Sequence, residues 1–305
     1  MSCPLSSLVN PLNPKQVLLF YLSGNQSPAL ELQDVGADKT TATAFADNLS
    51  APVDSKIVNP GSFSALYNEN LLNLYGLVQS GPAQKGTTTV DAIAPKRLAQ
   101  LSPVYKLLLP DSPTNTVIGV AMTTIVVEGQ GYMYCMTGTE EKPRITEFSI
   151  GWSSSSRGED LITKPLDTKP PLVASNLAAV FDPVTNKKLI VYQNEDNLRI
   201  VESTSENDAV IPNTDDSRDC TGLALVPVAT DKGVKLYLYY FMQKGGKLQR
   251  VIRREDGTWG DSAAAGDKAV SDPNTFLSAC QVGGVIMVYY IAKGESSIHS
   301  FRDKI

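Results

Sequence analysis

Apolar and polar positions along this chain form short alternating runs rather than long helical stripes. Runs rich in Val, Ile, Leu, Tyr and Phe are separated by clusters of Asn, Asp, Gly, Pro and Ser. The segment 175–203, SNLAAVFDPVTNKKLIVYQNEDNLRIVES, reads as three such runs joined by polar turns. This pattern is typical of β-strands connected by tight turns, and it predicts an all-β fold.

The same succession of strands recurs along the chain. A strand of small apolar residues opens each repeat, near Cys3, Ser62, Asn115, Asn176, Thr221 and Asn274. A more aromatic strand follows each opening: Gln16–Leu22, Leu71–Val78, Gln130–Thr137, Lys188–Asn194, Lys235–Met242 and Val285–Ile291. A third strand is clear in most repeats, and TTTVDAI (87–93) is the best match in the second. The openings recur at roughly 45 to 60 residues, a spacing that suits one propeller blade with its loops.

The residue choice in each strand fits a six-bladed β-propeller formed by one domain, residues 1–305. Innermost strands crowd around an axis and favour small residues such as Ala121, Ala178 and Ala224. Second strands lie between neighbouring blades, so both of their faces are apolar, whereas outer strands alternate because one face meets water. We expect the sixth blade to lack a full outer strand. Two stacked β-sandwiches are the alternative architecture.

Composition narrows the classes of function. The net charge is −5 and Lys and Arg are not clustered, so the footprint of a nucleic-acid-binding protein is missing. The N-terminal stretch has no basic region before its apolar residues, and no run approaches 18 apolar residues, so we expect neither a secretory signal nor a membrane span. The cysteines are scattered, at Cys3, Cys135, Cys220 and Cys280. Free thiols in a reducing, cytoplasmic environment are the prediction.

The scarcity of histidine limits the chemistry further. His299 is the single histidine, so zinc sites built on several imidazoles are excluded. A Ser–His–Asp triad could run only through His299, which lies on a predicted alternating strand. Neither phosphate-binding glycine loops nor a nucleophile elbow occur, and we expect no metal and no cofactor.

Three stretches carry a resemblance to a known family: SNLAAVFDP…LIVYQNEDNLR (175–199), LYLYYFMQKGGKLQRV (236–251) with DGTW (256–259), and VYYIAKGESSIH (288–299). In these stretches and in its repeat pattern, the chain resembles the fungal fucose-specific lectins. The resemblance covers nearly the whole chain and implies a six-bladed propeller with sugar sites between blades. In that family an Arg, a Glu and an aromatic ring hold each sugar.

The chain departs from the family at the residues that would hold the sugar. The positions matching the family's Arg are Leu18, Asn73, Tyr132, Ile190, Tyr237 and Met287. The positions matching its Glu are Leu32, Glu147, Ile200, Arg250 and Ser300, so only Glu147 is kept. The ring is clear at Trp259, with Trp152 as a second match. Sugar hydroxyls left unpaired cost about 1–3 kcal/mol each, so fucose recognition at six equivalent sites is not expected.

A site lined by Tyr, Met and Leu suits an apolar ligand better than a sugar. At the level of fold, the chain is similar to the hetero-Diels–Alderases of tropolone sesquiterpenoid biosynthesis. This resemblance implies a cofactor-independent [4+2] cyclase, or pericyclase, of fungal secondary metabolism. Such an enzyme joins an ortho-quinone methide, formed by loss of water from a hydroxymethyl tropolone, to a humulene-type sesquiterpene.

Four residues are the candidates for the polar roles in that reaction. Tyr132 and Tyr237 would donate hydrogen bonds to the quinone-methide carbonyl, Glu147 would act as the acid–base group of the dehydration, and Arg250 would be a charged donor. The candidates for substrate contact are Trp152, Trp259, Asn73 and Met287. In the competing interpretation, the tyrosines and tryptophans are core residues between blades and the charged pair lies on solvated strands.

Two other classes of function stay open. One is a lectin with one or two degenerate sites around Glu147 and Trp259, and the other is a propeller that serves as a protein-interaction platform. For the enzyme hypothesis the partners are hydrophobic small molecules. The sequence leaves the oligomeric state open, with a homodimer as one option.

Overall fold

The structure is a computed structural model. It describes residues 4–23, 27–35, 43–46, 57–58, 61–79, 96–103, 105–108, 117–150, 162–195, 197–266, 270–273 and 275–305. Within these residues the chain forms β-strands and no helix, so no helix is present there that could cross a membrane. The prediction of an all-β fold is confirmed.

Six strands of small or apolar residues surround a common axis. They are β1 (Leu5–Val9), β5 (Phe63–Asn68), β9 (Val117–Val127), β13 (Ala178–Asp182), β17 (Ala224–Thr230) and β21 (Ser278–Val282). Each of these inner strands contacts the next one along the chain, and β21 contacts β1. The inner strands therefore close a ring of six blades, as the sequence predicts.

Each inner strand pairs antiparallel with a second strand. The second strands are β2 (Gln16–Leu22), β6 (Leu71–Gln79), β10 (Gln130–Thr139), β14 (Lys187–Gln193), β18 (Gly233–Phe241) and β22 (Val285–Ile291). All twelve inner and second strands overlap the predicted segments. The second strands are buried over most of their length on both faces, as expected for a strand between two blades.

The outer strands complete the blades. The third strands are β3 (Pro28–Asp34), β7 (Lys96–Ser102), β11 (Lys142–Ile150), β15 (Leu198–Glu202), β19 (Leu248–Arg253) and β23 (Ile298–Lys304). The fourth strands are β4 (Thr43–Ala46), β8 (Lys106–Leu107), β12 (Thr163–Pro165), β16 (Asp208–Val210) and β20 (Ala263–Ala264). The third strand of blade 2 is β7, whereas the predicted TTTVDAI segment lies outside the described residues. Blade 6 comprises three described strands, in agreement with the expected loss of its outer strand.

Hydroxyl groups connect neighbouring inner strands. The backbone N–H of Ser7 in blade 1 donates to Ser278 Oγ in blade 6 at 2.8 Å, and the N–H of Ala65 in blade 2 donates to Ser6 Oγ at 2.8 Å. The hydroxyls of Ser64 and Thr124 bond to each other at 2.7 Å between blades 2 and 3. These short side chains satisfy polar groups while letting the inner strands approach closely.

The packing of second strands closes the ring between blades 6 and 1. Val17 and Leu19 of β2 lie against Met287 and Tyr289 of β22. These side chains are almost fully buried, so the closure of the ring depends on apolar contact in addition to the serine hydrogen bonds.

Substitution of Leu19 by Ala should destabilise the fold strongly. Leu19 is 0% exposed in the interface between blades 6 and 1, and Leu→Ala changes in cores lower the free energy of unfolding by about 2–5 kcal/mol. Leu12→Ala is the matched control, because Leu12 is 89% exposed and should change stability by less than about 0.5 kcal/mol. Urea unfolding followed by circular dichroism measures both, and equal losses would contradict the closed ring.

Candidate functional site

A cavity of about 250 Å³ lies on the propeller axis, and its wall is chemically uneven. Blades 1, 2, 3 and 6 line it with hydroxyl side chains: Ser6, Ser7, Ser62, Ser64, Thr123, Thr124 and Ser278. Blades 4 and 5 line it with Leu177, Ala178, Ala179, Leu223, Ala224 and Leu225, joined only by the polar Asn176. We call this cavity the axial channel.

At the carboxyl ends of the inner strands the axial channel meets a wider cavity of about 620 Å³. Most of its lining is apolar: Leu8, Val9, Ile125, Val126, Val180, Phe181, Val226 and Pro227. Its volume lies within the range of about 300–1,000 Å³ that is common for small-molecule sites. We call it the axial bowl, and its few polar side chains are Ser7, Cys280 and Gln281.

Tight hairpins join the inner strand to the second strand in blades 2 and 3. In blade 3 the turn residues Glu128 and Gly129 have φ of 50° and 80°, and in blade 2 Glu69 and Asn70 have φ of 49° and 64°. Two consecutive positive φ values are typical of turns that match the twist of paired strands. The backbone of these two hairpins therefore follows the twist of the paired strands.

The predicted Glu147 lies in the crevice between blades 3 and 4, where its carboxylate is fully engaged. It accepts hydrogen bonds from the Tyr134 hydroxyl at 2.7 Å and from the Ser203 hydroxyl, and it pairs with Lys188 Nζ at 2.7 Å. Lys188 Nζ also lies 3.8 Å from the centroid of the Tyr132 ring. The cluster joins blade 3 to blade 4 through charge-assisted hydrogen bonds.

The predicted Arg250 has the corresponding place between blades 5 and 6. Its Nη1 donates to both carboxylate oxygens of Asp303, at 2.6 and 2.7 Å, and the Tyr239 hydroxyl donates to the same carboxylate at 2.6 Å. The guanidinium carbon lies 6.0 Å from the centroid of the Tyr237 ring. This cluster again joins one blade to the next.

The other candidates for substrate contact are distributed over further interfaces. Asn73 is buried and accepts a hydrogen bond from Gln100 Nε2 at 3.0 Å. Met287 is buried between blades 6 and 1, and Trp259 packs against the apolar cluster between blades 4 and 5. Trp152 lies outside the described residues.

Strand register corrects the alignment of blade 4. In β10 and β18 the residues Tyr132 and Tyr237 face the following blade, whereas Ile190 packs towards the preceding blade 3. Leu189 faces blade 5 and is the true counterpart in blade 4. Side chains alternate between the two faces of a strand, so a shift of one residue exchanges the faces. The alignment of the sequence placed Tyr192 at the first tyrosine of other blades, whereas Tyr192 corresponds to the second. The position matched in blade 4 was therefore wrong by one residue. In blade 1, Leu30 rather than Leu32 lies opposite the aromatic residue Phe20.

The structure thus divides the predicted polar residues between two crevices. Tyr132 lies near Glu147, and Tyr237 lies near Arg250, but the two pairs belong to different blade interfaces. None of the seven described candidates is among the described residues that line the axial bowl. Their assignment to catalysis or substrate contact stays a prediction.

The polar residues of the axial bowl were missed in the sequence. Ser7, Cys280 and Gln281 lie on inner strands that otherwise read as small-residue strands. Burial raises the pKa of the Cys280 thiol to about 12. The signal that could have found them is the run of polar residues in the inner strands of blades 1 and 6, where blades 4 and 5 have apolar residues.

Several solved structures with a similar fold are fungal lectins. Aleuria aurantia lectin, a six-bladed propeller described with a fucose recognition mode, matches with a TM-score of 0.65 and 15% identity over 99% of this chain and 91% of the lectin. AofleA from Arthrobotrys oligospora, as a triple arginine-to-alanine variant, matches with a TM-score of 0.62 and 11% identity over 99% and 87% of the two chains. The fold is a six-bladed β-propeller.

Other comparisons add little to that result. SapL1 lectin in complex with α-methyl fucoside matches with a TM-score of 0.64 and 11% identity, over 99% of this chain and 92% of that chain. Trypanosoma rangeli sialidase matches with a TM-score of 0.58 and 10% identity, over 99% of this chain but only 54% of the sialidase. No protein-family model matches the chain, and no curated protein matches it in sequence. At these identities the likeness concerns the fold alone.

Tyr239 and Tyr289 occupy equivalent positions, but loss of the hydroxyl should have different effects on stability at the two. Tyr289→Phe removes a fully buried hydroxyl that has no hydrogen-bond partner among the described residues, so stability should be unchanged or rise by up to about 1 kcal/mol. Tyr239→Phe removes the donor to Asp303 and should lower the free energy of unfolding by about 1–3 kcal/mol. Urea unfolding compares the two variants, and a larger loss for Tyr289→Phe would refute the assignment of these contacts.

Stability should fall as the pH rises above about 10. Burial raises the pKa of Tyr239 and of Tyr289, in Tyr239 with a further contribution from the hydrogen bond to Asp303. A phenol whose pKa is higher in the folded state contributes stability below its unfolded pKa of about 10, and this contribution is lost at higher pH. Guanidinium unfolding at pH 8 and pH 10.5 should show the loss, which should be smaller in Tyr289→Phe. Equal stability at the two pH values would contradict it.

Proposed function

We propose that this chain is a cofactor-independent hetero-Diels–Alderase of fungal secondary metabolism, and that its reaction takes place in the axial bowl. The substrates are a tropolone ortho-quinone methide and a humulene-type sesquiterpene. The observation that carries the proposal is the combination of an apolar cavity of about 620 Å³ with inter-blade crevices occupied by ion pairs or apolar side chains.

The volume and lining of the axial bowl suit two hydrocarbon-rich reactants. Phe181, Ile125 and Val226 present apolar surface on three different blades, so a terpene bound there is surrounded by alkyl and aromatic carbon. Burial of that surface supplies binding energy of about 25 cal/mol per Å². The tropolone unit would lie beside it, towards the polar side chains of the bowl.

The reaction needs few chemical groups. The hydroxymethyl tropolone first loses water: the hydroxyl leaves the methylene carbon, the ring hydroxyl gives up its proton, and a carbonyl conjugated to an exocyclic methylene results. In the cycloaddition that follows, the methylene carbon and the carbonyl oxygen each form one bond to the two carbons of a terpene double bond. No atom is lost in this second step, and no proton moves.

The protein would accelerate this cycloaddition mainly by position. Two reactants held in a near-attack geometry gain up to about 7–11 kcal/mol relative to free encounter. A hydrogen bond to the quinone-methide oxygen stabilises the negative charge that develops there. In this proposal Glu147 and Arg250 hold blades together, since Lys188 and Asp303 already engage their charged groups.

Carbohydrate binding is the second candidate, and the lectin neighbours favour it. Aleuria aurantia lectin and SapL1 are described with fucose or a fucoside, and they share the fold along almost the whole chain. Against this candidate, the register-matched positions between blades 4 and 5 are Leu189 and Ile200, which offer no hydrogen bonds. Retention on fucose–agarose and a glycan array test it directly.

Filling the axial bowl should suppress cycloaddition. Ala279→Phe and Ala179→Phe place rings into the bowl from blades 6 and 4, and each should reduce the rate of product formation at least about tenfold. The assay mixes the protein with a quinone-methide precursor and humulene, and compares rate and product stereochemistry with the uncatalysed reaction. Ala263→Phe, at an exposed position of the outer strand β20, is the matched control and should retain activity.

Three outcomes would count against the proposal. They are a rate equal to that of the uncatalysed reaction, full activity in both bowl variants, or retention of the wild-type protein on fucose–agarose that free fucose reverses. The last result would favour the lectin.

A further inference from the structure

Polar side chains stand at the junction between the axial channel and the axial bowl. Ser7 belongs to the lining of both cavities, Ser278 lines the channel, and Cys280 lines the bowl. The hydroxyls of Ser7 and Ser278 lie 2.8 Å apart and share one hydrogen bond. All three side chains are partly exposed to the cavities rather than sealed in the core.

The hydroxyl groups at this junction carry one more donor hydrogen than the bond between them uses. Ser7 and Ser278 each carry one hydroxyl hydrogen, and the bond between their oxygens uses one of the two. Ser278 Oγ additionally accepts the backbone N–H of Ser7 at 2.8 Å, which fixes the position of its oxygen. When Ser278 donates to Ser7 Oγ, the hydroxyl hydrogen of Ser7 is left for an acceptor outside this pair.

A molecule bound in the axial bowl would be the acceptor of this remaining hydrogen. The rest of the bowl is mostly apolar, with Leu8, Val9 and Val226 near this junction, so a polar group of a ligand has few other partners there. In apolar surroundings a hydrogen bond of this kind discriminates strongly, because a ligand oxygen left unpaired would lose its water without replacement.

We infer that Ser7 is the specificity-determining residue of the axial bowl, and that it binds the oxygen of a conjugated hydroxy-ketone whose carbon skeleton lies in the bowl. Ser7 is the hydroxyl shared by the two cavities, so it meets a ligand whose hydrocarbon part fills the wider one. This inference deepens the proposed function, since it places the oxygens of the tropolone unit at the polar junction. For the cycloaddition, Ser7 would supply the hydrogen bond to the reacting carbonyl oxygen.

The test compares two probes that differ in oxygen. Tropolone carries adjacent carbonyl and hydroxyl groups, whereas azulene is a ring hydrocarbon without oxygen. Isothermal titration calorimetry on the full chain should show that Ser7→Ala weakens tropolone binding about fivefold to tenfold, the value of one hydrogen bond. Azulene binding should change less than twofold. Ser7→Thr keeps the hydroxyl and should restore most of the tropolone affinity.

Ser64→Ala provides the matched control. Ser64 forms a similar hydroxyl pair with Thr124 between blades 2 and 3, but it lines only the axial channel and not the bowl. Its loss should leave the affinity for tropolone unchanged. Ser7→Ala keeps the backbone N–H that bonds Ser278, so the variant should fold, and urea unfolding confirms this before titration.

The outcomes separate this inference from the proposed function. Equal weakening of tropolone and azulene by Ser7→Ala, an equal effect of Ser64→Ala, or no effect of Ser7→Ala would overturn the inference, even if the wild-type protein accelerates the cycloaddition. Selective loss of tropolone binding in Ser7→Ala would support it, even if the protein proves to accelerate no cycloaddition. The proposed function alone would then fail.

Discussion

The second strand of each blade has both faces buried against neighbouring blades, and the rest of the molecule depends on this constraint. A strand in this position cannot leave a charged group unpaired, because the protein interior offers no water to solvate it. Leu, Val, Ile, Met and Tyr therefore fill the second strands, and the few charges beside them are neutralised across the interface by Lys188 or Asp303. The crevices hold the ring together, and two cavities lie on the axis.

The sequence was sufficient to predict the architecture, because each type of strand has a distinct environment. Small residues mark the inner strands, continuous apolar runs mark the second strands, and alternation marks the outer ones. The exception in the third strands was blade 2, where β7 begins at Lys96 and reads as KRLAQLS, with two cations at its start. Lys96 is nevertheless buried, and its Nζ donates to the carbonyl of Ile118 in blade 3. Because this buried lysine binds a carbonyl of the neighbouring blade, a charged residue stands where the sequence pattern of a strand predicts an apolar one.

The partners of the charged residues could not be predicted in the same way. Glu147 meets Lys188 from the next blade, and Arg250 meets Asp303, through contacts that only the closed ring creates. The register of blade 4 shows the same limit, since Val191 stands where other blades have an aromatic residue, and a one-residue choice exchanges the two faces. The axial bowl could not be predicted for a related reason. Residues from five inner strands line it together, and the end of each strand by itself has an ordinary sequence.

The uneven wall of the axial channel has a consequence for any guest. Six similar blades would give a guest six indistinguishable orientations. Here blades 1, 2, 3 and 6 contribute hydroxyl groups and the described lining residues of blades 4 and 5 contribute none, so rotation about the axis brings unlike surfaces to the same part of the guest. A pseudo-symmetric scaffold has thereby become directional, because the orientations of a guest about the axis differ in energy.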